Sequence, residues 1–273
     1  MFYLRMFAAL LAFVAASTYG VVIALTRRDR SRVAHDYAHL LHRWMLPIFR
    51  QRVTLRGAEH LTAHRPCIFI ANHQSLLDVP VLAVCFAPGS VVIAKKEIRT
   101  VPFFGWLYMV TGNLLIDRGN TAQSVGMLRA AEDAIRERRV AVWIFPEGTR
   151  GEVPGKLLPF KKGGFRMAVA TGAPLVPVVA SPLKPKSDLV RRRLDPNDIE
   201  IRILEPIPTA GLGEGEVTAL MHEAQRRMGA ALAEMAAERG IAPPAQGPVV
   251  GSGGGGGVSG LGIGGGDSAA RSS

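Results

Sequence analysis

The chain has 273 residues, enough for one large α/β domain with appendages and too few for two full domains, and 48% of them are hydrophobic. Lysine and arginine outnumber aspartate and glutamate 33 to 22, an excess that points to an anionic partner: nucleic acid, an anionic membrane or a phosphorylated substrate. Two cysteines, Cys67 and Cys85, exclude a disulfide framework; each sits at the end of an apolar run, where it reads as a small buried hydrophobe.

Residues 6–25 (MFAALLAFVAASTYGVVIAL) carry no charge, and a helix of that length covers about 30 Å, the thickness of a bilayer core. Arg5 and the terminal amine precede the segment; Arg27, Arg28, Arg30 and Arg32 follow it, opposed by Asp29 alone. That asymmetry puts the bulk of the chain on the cytoplasmic side of a membrane. Ala15-Ala16-Ser17 offers a cleavage point for a signal peptide, but the apolar stretch runs past it into the stronger positive cluster. The segment therefore reads as an anchor, with an interfacial or buried helix as the remaining alternative. Residues 35–50 place Leu40, Leu41, Trp44, Met45 and Ile48 at helical spacing, with Arg43, Arg50 and Arg52 around them. This amphipathic helix either rests on anionic headgroups or faces the core. Anchor and amphipathic helix together make an N-terminal unit of residues 1–50.

From Val53 the pattern changes to short apolar runs separated by helix-like segments. Strands are predicted at residues 67–71, 90–94, 113–116, 140–145, 175–180 and 199–204, and helices at 75–86, 121–138, 165–171 and 217–239. In the helix over 121–138, Val125, Leu128, Ala131 and Ile135 form one stripe. Strands alternating with helices predict an α/β domain over residues 51–242, with a mixed, partly parallel sheet flanked by helices. Residues 243–273 are rich in glycine and serine without apolar periodicity and read as a disordered tail. A G-x-G-x-x-G match at Gly260 to Gly265 has no strand before it and no helix after it, so it is a product of low complexity.

Three polar clusters follow predicted strands. Asn72-His73-Gln74-Ser75-Leu76-Leu77-Asp78 follows the apolar run CIFIA, at the carboxyl end of a strand, where open α/β sheets bind ligands. His73 there can serve as a general base, with Asp78 folding back to hold the ring. Ser75-x-x-Asp78 equally resembles a helix capping box, and His73 equally suits a turn. Phe145-Pro-Glu-Gly-Thr-Arg150 follows VAVWI; its glycine permits close backbone approach, and its hydroxyl and guanidinium can grip a phosphate. A solvent-exposed turn is the alternative. Gly112-Asn-Leu-Leu-Ile-Asp117-Arg118 ends a third strand in a charged pair. Lys95-Lys96 and Lys161-Lys162 add cations that individually read as solvated surface. The sequence has no G-x-S-x-G elbow, no phosphate-binding G-x-x-x-x-G-K-[ST] loop and no zinc-type Cys/His spacing, so no metal site is expected. The basic stretches lack aromatic interleaving, which argues against nucleic acid.

Taken in order, these blocks resemble the 1-acylglycerol-3-phosphate acyltransferases within the wider glycerolipid acyltransferases. NHQSLLD resembles the family's NHxxxxD motif, GNLLIDR its second block, FPEGTR its third and Val176-Pro177-Val178-Val179 its fourth. IAKKE, VPFFGWLY and LLPFKKG are similar in wording and order, and the similarity runs from about Arg52 to Met228. Gly151 departs from the serine that often follows FPEGTR. The resemblance implies a glycerol-phosphate acyltransferase-like fold, with His73 as general base and Asp78 as its orienting partner. It implies that Arg118, Glu147, Gly148, Thr149, Arg150 and Lys95 help bind the phosphorylated acceptor. It implies acyl transfer from acyl-CoA or acyl carrier protein to a lysophospholipid hydroxyl at an anionic membrane surface, with no cofactor. Acylation of another lysolipid such as a lyso-ornithine lipid, thioester hydrolysis by a His73-activated water, and non-catalytic lipid binding are the competing functions.

Overall fold

A computed structural model describes residues 1–27, 32–117 and 121–241. Helix α1 (Phe2–Thr26) is followed by α2 (Val33–Phe49), strand β1 (Gln51–Arg56), the one-turn α3 (His60–Ala63) and β2 (Cys67–Ala71). Then come α4 (Asp78–Leu82), β3 (Ser90–Lys95), α5 (Phe104–Val110), β4 (Leu114–Ile116), α6 (Thr121–Arg138), β5 (Ala141–Ile144), α7 (Gly163–Thr171) and β6 (Leu175–Ala180). A short hairpin of β7 (Ser187–Asp188) and β8 (Arg193–Leu194) leads to β9 (Asn197–Ile203) and the closing helix α8 (Val217–Glu238).

Seven strands form one sheet in the order β1-β9-β6-β2-β5-β3-β4. The five from β6 to β4 are mutually parallel; β9 runs antiparallel to β6, and β1 lies parallel to β9 at the edge. The mixed, partly parallel sheet is thus present. Its central strands are the apolar runs because helices cover both faces, and every residue of β2 and of β6 is buried. Side chains alternate between the faces. Ile68 and Ile70 meet α6, α7 and α8 on one side, and Phe69 and Ala71 meet α2 and α4 on the other.

The connections leaving β2 and β5 take opposite faces. From β2 the chain passes through α4 on the second face, and from β5 it passes through α7 on the first. Two neighbouring parallel strands whose crossovers diverge leave a crevice at their carboxyl ends. The polar clusters after β2 and β5 both fall there.

Helix α1 is long and apolar enough to cross a membrane by length and composition. It packs along the domain over its whole length. Its buried stripe consists of small residues, Ala9, Ala16, Ser17, Gly20 and Ala24, which let a neighbouring helix approach closely. A β-carbon on Gly20 would lie 2.7 Å from a Leu107 methyl of α5. Ser17 Oγ and Tyr37 Oη of α2 share a hydrogen bond at 3.2 Å. The opposite face presents Leu4, Phe7, Leu11, Val14, Val22 and Leu25 outward, far more contiguous apolar surface than a solvated helix carries. Helix α2 turns Tyr37, Leu41, Leu46 and Phe49 inward and leaves Trp44 exposed, so it is core-facing on one side.

The structure departs from the predicted elements at several points. Residues 72–77 form a loop, and the predicted helix over 75–86 shrinks to α4 and a 3-10 turn at Ala83–Cys85. β1, α3, α5 and the β7–β8 hairpin were not predicted. Arg28, Asp29, Arg30 and the tail from residue 243 lie outside the described residues.

Candidate active site

The loop after β2 is fastened at three points. Asn72, 1% exposed, donates from Nδ2 to the Ala180 carbonyl at 3.0 Å and accepts the Ala180 N–H at 2.8 Å, tying the ends of β2 and β6 together. Gln74 donates to the Ala180 and Ser181 carbonyls and accepts the Leu183 N–H. Between them, the His73 N–H donates to Glu147 Oε1 at 2.8 Å and the His73 carbonyl accepts the Gly151 N–H at 2.8 Å. His73 therefore stands on a backbone held by both neighbouring strand ends.

Its side chain is equally constrained. Nδ1 lies 2.6 Å from Asp78 Oδ2, and the ring stacks on Phe145 with centroids 4.1 Å apart. Asp78 is fully buried, and the same Oδ2 accepts the N–H groups of Gln74 at 2.6 Å and Ser75 at 2.9 Å. Three donors converging on one oxygen fix the carboxylate's rotation. A carboxylate only accepts, so Nδ1 carries the proton and Nε2 keeps its lone pair. The capping box that the sequence offered does not form: α4 starts at Asp78 with Leu77 as its N-cap, and Ser75 Oγ accepts the Leu77 N–H at 3.2 Å. The Asp78 carboxylate serves the Ser75 and Gln74 N–H groups and the imidazole instead.

Glu147 is 3% exposed and faces inward. Oε1 takes the His73 N–H and Oε2 the Leu158 N–H at 2.7 Å. Burial pushes its carboxyl above the ordinary glutamate range, outweighing the opposite pull of the two N–H donors. Gly148 adopts φ +68°, and the Lys161 side chain crosses it so closely that a β-carbon there would lie 2.8 Å from Lys161 Cε. Thr149 and Arg150 are exposed on the same loop. Lys95, exposed, ends β3 on the same edge of the sheet, and its neighbour Lys96 pairs with Asp117 after β4 at 2.6 Å. Arg118 lies outside the described residues.

The structure thus brings His73, Asp78, Glu147, Gly148, Thr149 and Arg150 to one crevice, with Lys95 two strands away from β2 at the same edge. Sequence reasoning passed over Asn72, Gln74, Phe145 and Lys161 as individual contributors. The signal for the first two was two amide side chains flanking a histidine directly after a buried strand. Both cysteine thiols are buried, and burial raises them to about 12, far from any role as nucleophiles near neutral pH.

Comparison with known proteins identifies the family. The family model described as Acyltransferase matches residues 52–181, which include the His73 and Glu147 loops and all of β6. A 1-acyl-sn-glycerol-3-phosphate acyltransferase of Salmonella typhimurium is 32% identical over 231 residues, covering 85% of this chain and 93% of that protein. One from Escherichia coli is 33% identical over 217 residues, covering 80% and 87%. The crystal structure of the 1-acyl-sn-glycerophosphate acyltransferase of Thermotoga maritima superposes with a TM-score of 0.70 at 25% identity, covering 85% of this chain and 94% of that one. This chain belongs to the acyltransferase family, alongside the 1-acyl-sn-glycerol-3-phosphate acyltransferases.

Proposed function

We propose that the chain transfers a fatty acyl group from an acyl thioester to the sn-2 hydroxyl of 1-acylglycerol-3-phosphate, giving phosphatidic acid. The observation that carries the chemistry is the 2.6 Å contact between His73 Nδ1 and Asp78 Oδ2, which leaves Nε2 as the basic atom. Nε2 takes the hydroxyl proton as that oxygen attacks the thioester carbonyl. The tetrahedral intermediate collapses, the C–S bond breaks, and the imidazolium returns the proton to the leaving thiolate. Asp78 stabilises the imidazolium in between. The names of the relatives support the phosphorylated acceptor, and Arg150, Thr149 and Lys95 are exposed groups suited to its phosphate; Arg118, outside the described residues, is a further candidate by its sequence motif. Glu147 acts through the loops it joins, and Gly148 by admitting Lys161.

The outward apolar face of α1 supports membrane attachment, which suits an acceptor and a product that reside in a bilayer. The excess of lysine and arginine suits the anionic cytoplasmic leaflet, which favours a catalytic domain on the cytoplasmic face. Donor use is a choice between acyl-CoA and acyl carrier protein, and the reaction calls for no cofactor. A panel of acceptors decides the substrate: lysophosphatidate, lysophosphatidylcholine and a lyso-ornithine lipid, each given labelled acyl-CoA or acyl carrier protein. Preference for lysophosphatidate is expected. Equal or better use of an acceptor without the phosphate monoester would refute the assignment, and free fatty acid without acylated acceptor would favour a hydrolase.

A further inference from the structure

The β7–β8 hairpin has no part in the chemistry above, yet its composition is unusual for a solvated turn. Val190 at its tip is 90% exposed, where turns ordinarily carry glycine, asparagine or aspartate. Arg191, Arg192 and Arg193 follow directly, and residues 184–195 carry five cations against two carboxylates. Those carboxylates are already engaged. Asp188, 5% exposed, accepts the N–H groups of Val190 at 3.0 Å and Arg191 at 3.2 Å, so it serves as the fastening of the turn. Asp188 also lies 3.9 Å from Arg191, and Asp195 pairs with Arg193 at 2.5 Å, so the two carboxylates offset two of the five cations and leave an excess of three.

The hairpin is also joined to the N-terminal half of α1. Arg5 donates to the Leu194 carbonyl at 2.8 Å, and the Arg192 guanidinium stands over the Tyr3 ring, 5.5 Å from its centroid. Leu189 lines one apolar groove with Met6, Ala9 and Leu10 of α1 and with Leu76 and Leu77 of the His73 loop. Tyr3, Leu4 and Phe7 beside it point outward. An apolar tip flanked by arginines, next to an outward apolar helix, has the distribution of a surface that meets acyl chains and anionic headgroups together.

We propose that the β7–β8 hairpin is a second membrane contact, with Val190 entering the headgroup boundary of an anionic bilayer and Arg191, Arg192 and Arg193 meeting lipid phosphates. It holds the N-terminal half of α1 level with the bilayer surface and keeps the groove beside the His73 loop open to lipid. Each arginine at an anionic surface contributes about fivefold in local binding, and the contribution weakens with salt. The inference rests on α1 being a membrane helix, and the test separates the two.

Cys67 and Cys85 are buried, so a single exposed cysteine accepts an environment-sensitive fluorophore selectively. Val190→Cys and Leu11→Cys, each labelled, are reconstituted in phosphatidylcholine vesicles with and without phosphatidylglycerol. The Leu11→Cys probe is expected to report lipid in both. The Val190→Cys probe is expected to brighten and shift to the blue only with phosphatidylglycerol, to revert at high salt, and to stay water-like when Arg191, Arg192 and Arg193 are all changed to Gln. That triple variant is expected to retain its activity in detergent micelles, as a folded protein would; loss of activity there together with a water-like probe would count against a purely membrane-facing role for the arginines. A Val190→Cys probe that stays in water while the Leu11→Cys probe is in lipid would overturn the proposal alone, as would a response indifferent to lipid charge and to the arginines. Both probes in water would overturn the membrane reading of α1 as well.

Discussion

Glu147 and His73 are joined through the backbone, not through the imidazole: Oε1 of the buried glutamate accepts the His73 N–H at 2.8 Å while Oε2 accepts the Leu158 N–H at 2.7 Å. One carboxylate thus sets the distance between the loops after β2 and β5. Glutamine at 147 keeps one acceptor but aims an NH2 group at a backbone N–H. The expected cost is about 2 kcal/mol of stability, read as a melting point lowered by several degrees, with a fall in kcat larger than any change in KM. Because burial raises the Glu147 carboxyl, its contribution to stability is complete below the ordinary glutamate range and is lost as pH rises through the folded value. Glu147→Gln should remove that part of the pH dependence.

The Asp78 carboxylate fixes the tautomer of His73. Asn at 78 can turn its NH2 toward Nδ1, which would then accept and move the proton to Nε2, leaving no base. Loss of about three to four orders of magnitude in kcat is expected, by analogy with other His–carboxylate pairs. A lower melting temperature should accompany it, because an NH2 at that position also faces the Gln74 and Ser75 N–H groups. Wild-type rates from Asp78→Asn would contradict the assignment of Nε2.

Gly148 carries a conformational and a steric requirement at once. Alanine at φ +68° costs about 1 kcal/mol, and its methyl would lie 2.9 Å from Lys161 Cδ and 3.0 Å from Nζ. The lysine must therefore move off the loop. Gly148→Ala is expected to raise KM for a phosphorylated acceptor about tenfold, the loss of one charge-assisted contact, and to change KM for an unphosphorylated one little. An equal rise for both would show that the loop has collapsed.

Asn72 makes a two-way exchange with Ala180. Aspartate there would set a carboxylate against the Ala180 carbonyl in a buried site, with an expected cost of about 3 kcal/mol. Serine, which can satisfy only one of the two groups, is expected to cost less. Thermal unfolding of the two variants in parallel tests the order.

The buried thiols give a check on the packing of the second sheet face. At pH 8 both are neutral, since burial raises them to about 12. Maleimide should modify neither in the native protein and both after denaturation.

What could be read in the sequence followed from how completely each element is buried. β2 and β6 are apolar from end to end because both faces are covered, and α1 is uncharged for its whole apolar length. β1 escaped because, at the sheet edge, only Val53 and Leu55 alternate with Arg52, Thr54 and Arg56. α5 escaped because FGWLYMV is apolar on every side: Leu107 and Tyr108 pack inward while the exposed face carries Trp106 and Met109, so no polar residue marks a period. The helix expected over 75–86 begins late because Asp78 spends its carboxylate on the N–H groups of Gln74 and Ser75 and on His73. The contacts of His73 with Glu147 and of Asn72 with Ala180 depend on where β5 and β6 end, which no local pattern encodes. Arg118 and the predicted tail fall outside the described residues.

In the proposed mechanism His73 drives acyl transfer to a phosphorylated lysolipid. The most direct measurement gives labelled acyl-CoA or acyl carrier protein and lysophosphatidate to the purified chain and to His73→Ala, and quantifies phosphatidic acid. The wild type should form it, and the variant should fall by about 10² to 10⁴ while keeping its melting temperature. Phosphatidic acid formed equally by both proteins would exclude His73 as the base, and none formed from either donor by the folded wild type would exclude the reaction itself.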